Sequence, residues 1–267
     1  MPTAVITGPT AGIGRAFATA LADRGHDLVL VARDVQRLDA LAADLRARTG
    51  VATEVIAADL SSAPDLRVVE ARLCDPSRPV DVLVNNAGFG IKQPFLRSSV
   101  DDEQRMIDVM VTAVMRTTHA VLPSMVQRGH GVILNVSSVA SWLTGGTYSA
   151  AKAWVTVFSE GLHAELAGTG VRVTAVCPGF VHTEFHERAL MDMSSVPAWM
   201  WLDADDVVRQ ALRDAGSNRA ISVTGAQYKA MGALLRHGPR AMIRRIGIVR
   251  TRSGIAGGAS RGGTPPR

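Results

Sequence analysis

A tyrosine and a lysine, Tyr148 and Lys152, stand four residues apart in a segment with a helical pattern. On a helix this spacing places both side chains on one face, about one turn apart. A free tyrosine has a pKa of about 10, whereas a nearby ammonium stabilises the phenolate and lowers that pKa. The pair therefore predicts a general acid/base. Alone, the same spacing is also typical of a half-buried tyrosine beside a solvated lysine.

A glycine-rich turn lies between the apolar segment 4–7 and the helical pattern that follows it. Gly8 permits a tight turn, Gly12 allows the backbone to approach a pyrophosphate, and Gly14 allows close packing of the helix. The helix N-terminus adds free N–H groups and the positive end of its dipole. The order strand, glycine turn, helix predicts a dinucleotide phosphate site.

The next predicted strand, residues 27–32, ends at Arg33, where the adenosine ribose of a dinucleotide would lie. A carboxylate at this point commonly accepts hydrogen bonds from the ribose of NAD, whereas a guanidinium pairs with the 2′-phosphate of NADP. Arg33 therefore favours NADPH, the alternative being an ordinary surface arginine. A third strand, 52–58, leads to Asp59, whose carboxylate is placed to reach the amine of adenine.

Strands continue to alternate with helices, at 80–84, 131–136 and 171–177, and a long helix is expected at 101–127. Alternation of this kind predicts an α/β fold with a parallel sheet covered by helices on both faces. Ligands bind at the carboxyl ends of the strands in such a sheet. The residues that follow the strands, and that should meet at that edge, are the glycine turn, Arg33, Asp59, Asn86, Ser138 and Pro178.

In order and spacing, these residues resemble the motifs of the short-chain dehydrogenase/reductase family, from Thr3 to about Val223. The matching positions are Thr7, Gly8, Gly12, Ile13, Gly14, Asn85, Asn86, Ala87, Gly88, Ser138, Tyr148, Lys152, Pro178 and Gly179. The resemblance implies a single Rossmann-type, doubly wound sheet of about seven parallel strands and a nicotinamide cofactor. It also implies a homodimer or homotetramer built on the two long helices.

By matching position, the resemblance implies that Tyr148 is the general acid/base and that Ser138 orients the substrate carbonyl, with Ser137 as the competing serine. Lys152 is expected to bind the nicotinamide ribose and to lower the tyrosine pKa. The predicted cofactor site comprises Gly8, Thr10, Gly12, Ile13, Gly14, Arg33, Asp59, Leu60, Asn86, Ala87, Tyr148, Lys152, Pro178, Gly179, Val181 and Thr183.

Met110 departs from the family pattern. Many members have an asparagine here, which helps to hold a water in a proton relay to the lysine, and a thioether cannot replace that amide. The alternative to an active enzyme is therefore a catalytically weak or inactive dinucleotide-binding regulatory or scaffold protein. Lone histidines, such as His119, His163 and His186, have no neighbours at metal-ligand spacing, so no metal site is predicted.

The segment 185–202 aligns with the part of the family that usually covers the substrate. Its large apolar residues are Met191, Met193, Val196, Trp199, Met200 and Trp201. Methionine adapts to irregular apolar shapes and tryptophan offers a large flat surface. We therefore hypothesise a lipophilic ketone or alcohol substrate, such as a ketoacyl thioester or a steroid-like molecule. Alternatively, this segment only seals the site or meets a partner chain.

The chain of 267 residues has a formal net charge of +5, but no Asp or Glu follows Asp214. The positive charge therefore belongs to the C-terminus, and no nucleic-acid partner is inferred. We predict a catalytic domain at 1–225, a basic amphipathic helical extension at 226–250 and a disordered tail at 251–267. The extension either packs on the protein or contacts an anionic membrane surface.

Met1 leads directly into a predicted strand, without the pattern of a secretory signal, and no apolar run of about 18 residues is recognised. The predicted location is cytoplasmic, with peripheral contact to the inner face of a membrane as the alternative. Together, these features predict an NADPH-preferring carbonyl reductase or alcohol dehydrogenase.

Overall fold

The computed structural model describes residues 1–91, 93–184 and 196–237. The predicted tail and most of the predicted substrate segment, including Met191 and Met193, lie outside these residues. The strands are β1 (Thr3–Thr7), β2 (Asp27–Ala32), β3 (Thr53–Ala57), β4 (Val82–Asn85), β5 (Gly131–Val136), β6 (Val171–Val176), β7 (Phe180–Val181), β8 (Trp201–Leu202) and β9 (Ile221–Ser222).

Seven of these strands form one sheet in the order β3-β2-β1-β4-β5-β6-β9, and all its pairs are parallel. The order reverses on either side of β1, which makes the sheet doubly wound. The predicted Rossmann-type fold with about seven parallel strands is confirmed. The remaining two strands, β7 and β8, pair in parallel as a separate short ribbon.

Helices connect the strands. They are α1 (Gly12–Ala22), α2 (Val35–Thr49), α3 (Ala63–Cys74), α4 (Val100–Ile107), α5 (Ala113–Arg128), α6 (Gly146–Glu165), α7 (Ala204–Gly216) and α8 (Ala226–His237). A π-helical turn (Asp108–Thr112) joins α4 to α5, and 3₁₀ turns lie at Val139–Trp142 and Ala198–Met200.

Successive residues of a strand point to opposite faces of the sheet, and both faces here are buried. In β1, Ile6 packs into the cluster that contains Phe17 of α1, Leu38 of α2 and residues of α7. Its neighbour Val5 packs into the cluster formed with α3 and α5 on the other face. Burial on both faces explains why the strands are almost continuously apolar.

The long predicted helix at 101–127 spans Val100–Arg128, with the π-helical turn inside it. This segment is long and apolar enough, by length and composition alone, to cross a bilayer, which corrects the expectation that the chain has no such stretch. Val121 and Met125 of this segment are fully buried in the cluster beneath the sheet. These contacts are those of a core helix in a folded domain.

The first part of the predicted C-terminal extension is α8, and its Tyr228 and Leu235 side chains are buried. Arg236 of α8 also donates to Glu160 of α6 at 2.8 Å. The described part of the extension therefore packs on the domain. The rest of the predicted extension, residues 238–250, lies outside the described residues.

A buried polar cluster joins the ends of β4 and β5 to α5. The Asn85 amide donates to Asn135 Oδ1 at 2.9 Å and to Thr118 Oγ1 at 3.1 Å. The Asn85 side-chain oxygen, Oδ1, accepts a hydrogen bond from Thr117 Oγ1 at 2.8 Å. Because each polar atom of this side chain has a partner, the cluster can be buried without an unsatisfied group.

We expect Asn85→Ala to lower the free energy of unfolding by about 2–4 kcal/mol, because three buried hydrogen bonds are lost and their partners stay buried. Urea unfolding followed by circular dichroism measures the change. Gln36→Ala, at an exposed position of α2, is the matched control and should change stability by less than about 0.5 kcal/mol. Equal midpoints for both variants would contradict this account of the cluster.

Candidate active site

The turn between β1 and α1 has the backbone expected of a phosphate site. Gly8 and Gly12 have φ angles of +66° and +52°, in the left-handed region that favours glycine. Ala11, the N-cap residue of α1, makes no side-chain cap hydrogen bond, whereas Asp34 and Ser62 cap α2 and α3. The first N–H groups of α1 are thus left for a ligand, and a helix N-terminus favours an anion.

Gly14 is required by close packing. A Cβ atom at this position would lie 2.2 Å from the Gly8 carbonyl oxygen and 2.4 Å from the Asn86 amide nitrogen. The amide of Asn86 donates to the carbonyl oxygens of Thr7 (2.9 Å) and Gly8 (3.0 Å). The end of β4 therefore holds the glycine turn in place, and any side chain at Gly14 would displace it.

Thr7 completes this junction, a role that its position in the motif did not indicate. Its buried hydroxyl donates to the Val84 carbonyl oxygen at 3.4 Å. The same hydroxyl oxygen accepts from the backbone N–H groups of Asn86 (3.0 Å) and Ala87 (3.1 Å). One side chain thus fixes where the chain leaves β4, which positions Asn86 and Ala87 next to the glycine turn.

Thr183 lies against the glycine turn from the other side. A Cβ atom on Gly12 would lie 2.8 Å from Thr183 Cγ2, so Gly12 and Thr183 are in close contact. Val181, two residues earlier, is buried. Thr183, a predicted cofactor residue, thus lies beside the predicted phosphate site.

Arg33 and Asp59 lie together at the ends of β2 and β3, with the guanidinium 3.9 Å from the carboxylate. Burial raises the pKa of Asp59, but hydrogen bonds from Ser61 and the charge of Arg33 outweigh it and hold that pKa below its usual range. The Arg33 side chain is 68% exposed, which leaves its guanidinium accessible to a ligand phosphate. Leu60 is buried, so its side chain belongs to the core.

A further ion pair in this region was not anticipated from the sequence. Arg37, in the first turn of α2, donates to Glu184 at 3.1 Å. Glu184 follows Thr183 directly, so the pair joins the α2 side of the predicted cofactor site to the segment after β7. Since the two residues are 147 positions apart, no local pattern could have indicated the contact.

The structure separates the roles of the two adjacent serines. The buried Ser137 hydroxyl donates to the Lys152 carbonyl oxygen at 2.8 Å and hydrogen-bonds to Thr156. Ser138 is half-buried, caps the following 3₁₀ turn, and hydrogen-bonds to the Tyr148 hydroxyl. Ser137 is therefore held in the core, and Ser138 is the serine that reaches the tyrosine.

Tyr148 and Lys152 share one face of α6, with the ammonium nitrogen 5.9 Å from the centre of the tyrosine ring. Burial raises the pKa of Tyr148 to about 12, although the hydrogen bond to Ser138 lowers it. Burial lowers the pKa of Lys152 to about 8. The ammonium donates to the Val136 carbonyl oxygen at 2.7 Å, so its charge is held beneath the ring.

The expected lowering of the tyrosine pKa is not seen in the protein alone, where that pKa is raised. The cost of removing the phenolate from water exceeds what the hydrogen bond to Ser138 returns. At neutral pH the arrangement holds Tyr148 as a protonated phenol and Lys152 mainly as an ammonium.

Met110 lies in the π-helical turn and is only 1% exposed. A Cβ atom on Gly88 would be 3.4 Å from Met110 Cγ and 3.7 Å from Lys152 Nζ, so Gly88 borders both residues. Met110 also packs in a cluster with Met106, Ala151 and Tyr148. The interior side of the Tyr148–Lys152 pair is consequently lined by an apolar cluster at Met110.

Pro178 and Gly179 follow β6 and approach two different parts of the molecule. The Pro178 carbonyl oxygen accepts from Val139 N at 3.0 Å and from Ser138 Oγ at 3.5 Å. The space beside Gly179 is occupied by the ring of Tyr228, because a Cβ atom there would lie 1.9 Å from Cζ. The contact with α8 therefore requires glycine at position 179. The sequence pattern did not indicate this contact.

These residues fit a nicotinamide dinucleotide. Two left-handed glycines and an uncapped helix N-terminus form a cradle for its phosphates, and Arg33 lies at the adenosine side of that cradle. Ala87 and Gly88 leave room beside Lys152. Among the residues that the structure describes, no group of three or more His, Cys, Asp or Glu side chains could hold a metal ion.

Comparison with known proteins agrees with the geometry. A model of the short chain dehydrogenase family matches residues 2–193. Serine 3-dehydrogenase from Rhizobium radiobacter is 37% identical over 187 residues, which are 68% of this chain and 73% of that protein.

Two solved structures match over nearly the whole chain. A short-chain dehydrogenase from Sphingobium yanoikuyae, in complex with NADPH, is 35% identical, with a TM-score of 0.79 and full coverage of both chains. The bulky-bulky ketone specific alcohol dehydrogenase from Comamonas testosteroni is 31% identical, with a TM-score of 0.76, and the match covers 99% of this chain and 97% of that one.

We expect Gly14→Ala to lower the free energy of unfolding by at least about 2 kcal/mol, because its methyl group would overlap the Gly8 carbonyl oxygen and the Asn86 amide. Gly161→Ala is the matched control: Gly161 is exposed in α6 with no atom near its missing side chain. This second change should stabilise the protein by about 0.5–1 kcal/mol. Thermal and urea unfolding measure both; Gly14→Ala at wild-type stability would contradict the packing argument.

Proposed function

We propose that this chain, a member of the short-chain dehydrogenase/reductase family, reduces bulky lipophilic ketones with NADPH as its preferred cofactor. The chain belongs to that family and is an NAD(P)-dependent oxidoreductase acting on alcohols and carbonyls. The proposal rests chiefly on one observation: Ser138, Tyr148 and Lys152 meet at the edge of the sheet that carries the glycine cradle. The reverse oxidation of the alcohol uses the same groups.

Hydride transfer to the carbonyl carbon is the chemistry that a bound nicotinamide supplies. The chain's own residues act on the carbonyl oxygen, where negative charge develops. The Ser138 and Tyr148 hydroxyls hydrogen-bond to each other in the protein alone. In the substrate complex, we infer that this bond is exchanged and that both hydroxyls donate to the carbonyl oxygen. Tyr148 then gives up its proton, and this combination of acid catalysis and preorganised donors stabilises the developing charge.

Lys152 stabilises the phenolate that this step leaves behind. Its ammonium lies 5.9 Å from the ring centre, and a positive charge in a poorly solvated site interacts strongly with a nearby anion. The raised pKa of Tyr148, about 12, keeps the phenol protonated at neutral pH, which suits proton donation. Oxidation of an alcohol needs the phenolate and therefore depends more on the lysine.

The cofactor preference is supported by Arg33. Its guanidinium is accessible at the end of β2, and Asp59 lies on the neighbouring strand. Charge-assisted hydrogen bonds from a guanidinium to a phosphate are among the stronger polar interactions. We also infer that the glycine turn and Thr183 contact the phosphates of the cofactor. Ala87, Lys152 and Val181 contact its nicotinamide side.

The substrate proposal is supported by the apolar surface after the predicted cofactor contacts. Trp199 is 67% exposed, and Met200 and Trp201 are half-buried beside it. Trp201 stacks on His182, with ring centres 4.6 Å apart, next to Thr183. Val196, the remaining residue among the large apolar ones named for this segment that the structure describes, is half-buried as well. Large aromatic surfaces of this kind favour a bulky apolar ligand.

The relatives are consistent with this choice. A solved structure of a serine dehydrogenase, an enzyme named for a small polar substrate, covers 83% of this chain. The match to the bulky-bulky ketone specific enzyme extends over 99% of it. The ketone-specific enzyme is therefore the fuller comparison for any substrate preference that depends on the C-terminal third of the chain.

We further propose a homodimer or homotetramer that acts in the cytoplasm. The α6 surface offers an apolar patch for such an interface: Trp154 and Phe158 stack with ring centres 4.6 Å apart, and Val157 between them is 69% exposed. Exposed apolar patches commonly mark protein interfaces.

We expect the purified protein to oxidise NADPH with aryl-alkyl ketones, steroid ketones or ketoacyl thioesters, at a kcat/KM at least about tenfold above that for small polar aldehydes. Tyr148→Phe should lower kcat by about 10²- to 10⁴-fold, because the proton donor is lost. Ser137→Ala is the matched control for Ser138→Ala, and only the second change should reduce kcat strongly. Turnover limited to small polar carbonyls would overturn the substrate proposal, and full activity of Tyr148→Phe would overturn the assigned acid.

For the cofactor, Arg33→Ala should raise the Kd of NADPH about 10- to 100-fold and leave that of NADH nearly unchanged, because a charge-assisted phosphate contact is lost. Fluorescence titration measures both constants. Arg48→Ala removes an exposed arginine near the C-terminal end of α2 that pairs with Asp23, and it should change the Kd of neither cofactor. A variant at Arg33 that keeps the NADPH preference would show that the discrimination lies elsewhere.

A further inference from the structure

Tyr228, in the first turn of α8, is a fully buried side chain at a junction of three segments. Its ring fills the space beside Gly179, and its hydroxyl has two backbone partners. The hydroxyl oxygen accepts from Phe180 N at 3.0 Å, and the hydroxyl donates to the Met200 carbonyl oxygen at 2.7 Å. One side chain therefore links α8 to the residues that begin β7 and precede β8.

The two strands held by this hydroxyl form a very short ribbon. Phe180 pairs with Trp201 and Val181 pairs with Leu202, and His182 N donates to the Leu202 carbonyl oxygen at 3.1 Å. Two-stranded pairings of this size are marginal on their own. The relative position of β7 and β8 consequently depends on groups outside the ribbon, and Tyr228 contacts both strands at their shared start.

The ribbon leads directly to the predicted cofactor site. Val181 is buried within it, and Thr183 follows it and lies against Gly12 at the start of α1. A displacement of β7 would therefore move the side chains that border the phosphate cradle.

The same face of α8, one and two turns beyond Tyr228, is held by contacts near the proposed catalytic groups. A Cβ atom on Gly232 would lie 2.7 Å from the Trp142 ring, which belongs to the 3₁₀ turn that begins after Ser138. Arg236 pairs with Glu160 of α6 at 2.8 Å. The helix is thus docked on the elements that carry Ser138 and Tyr148, while Tyr228 extends from it to the cofactor side.

We propose that Tyr228 is a positioning residue that couples the docking of α8 to cofactor binding. The hydroxyl holds β7 and β8 so that Thr183 lies against the glycine turn, and the cofactor in turn favours the docked state of the helix. Such coupling is reciprocal, because the effect of α8 on cofactor affinity must equal the effect of the cofactor on α8. The inference rests on the proposed binding of NADPH.

The test compares Tyr228→Phe with the full-length wild-type protein. This change keeps the ring beside Gly179 and removes only the hydroxyl, so two buried backbone groups lose their partner. The Kd of NADPH, measured by fluorescence titration, should rise about three- to tenfold, while kcat at saturating NADPH and ketone changes by less than about twofold. Hydrogen exchange adds a second readout: NADPH should slow exchange of the α8 amides in the wild-type protein and have a smaller effect in the variant.

Thr174→Val is the matched control, since it also removes a buried hydroxyl, one that donates to the Arg219 carbonyl oxygen at 2.7 Å. It should lower the melting temperature without changing the Kd of NADPH. An unchanged Kd in Tyr228→Phe, or an equal rise in both variants, would overturn the proposal. If Tyr228→Phe does not fold, wild-type α8 amides that exchange equally fast with and without NADPH refute it. Failure of the wild-type protein to bind NADPH would instead contradict the proposed function.

Discussion

The hydrogen bonds from the Asn86 amide to the carbonyl oxygens of Thr7 and Gly8 are the contacts on which the rest of the site depends. They join the end of β4 to the turn that leaves β1, at the point where the order of the sheet reverses. Together with the Thr7 hydroxyl, these bonds fix the backbone where it leaves β1 and where it leaves β4. As a result, α1 begins at a defined position with its first N–H groups free. The absence of a side chain at Gly14 is a consequence of this junction, because there is no volume left for one.

A second constraint is the burial of the ionisable groups in the proposed catalytic pair, Tyr148 and Lys152. Desolvation raises the pKa of Tyr148 and lowers that of Lys152, so each group is shifted away from its charged form. The fold thus maintains an arrangement that is electrostatically unfavourable in the protein alone. Such costs are typical of active sites, where stability is sacrificed for groups that act in the transition state.

The C-terminal part of the chain adds a packing role to Pro178-Gly179, the motif that follows β6. Gly179 belongs to a family motif, yet the space beside it is filled by Tyr228 of α8. The same tyrosine connects the cofactor side of the site to a helix that docks near Ser138. Because α8 lies beyond the residues matched by the family model, this connection belongs to a part of the chain that the shared motifs do not describe.

Much of the architecture could be predicted from local patterns. Apolar strands alternating with helices indicated a parallel sheet, and the glycine turn, Arg33 and the Tyr148–Lys152 spacing each follow from the conformation of a single element. Parallel strands also place their carboxyl ends together, so the position of the site could be inferred without coordinates. The prediction of the parallel, doubly wound sheet was correct because it depends on periodicity and chain order.

The tertiary structure decided what depends on contacts between distant segments. Packing directs the Ser137 side chain into the core and the Ser138 side chain toward Tyr148. Burial raises the pKa of Tyr148, whereas the Tyr148–Lys152 spacing alone had suggested that this pKa is lowered. The tertiary structure also brought Tyr228 to Gly179 and Phe180, about 48 residues away in the chain. The sequence by itself determined which groups are available for the chemistry, whereas side-chain orientation and desolvation are properties of packing and exist only in the folded molecule.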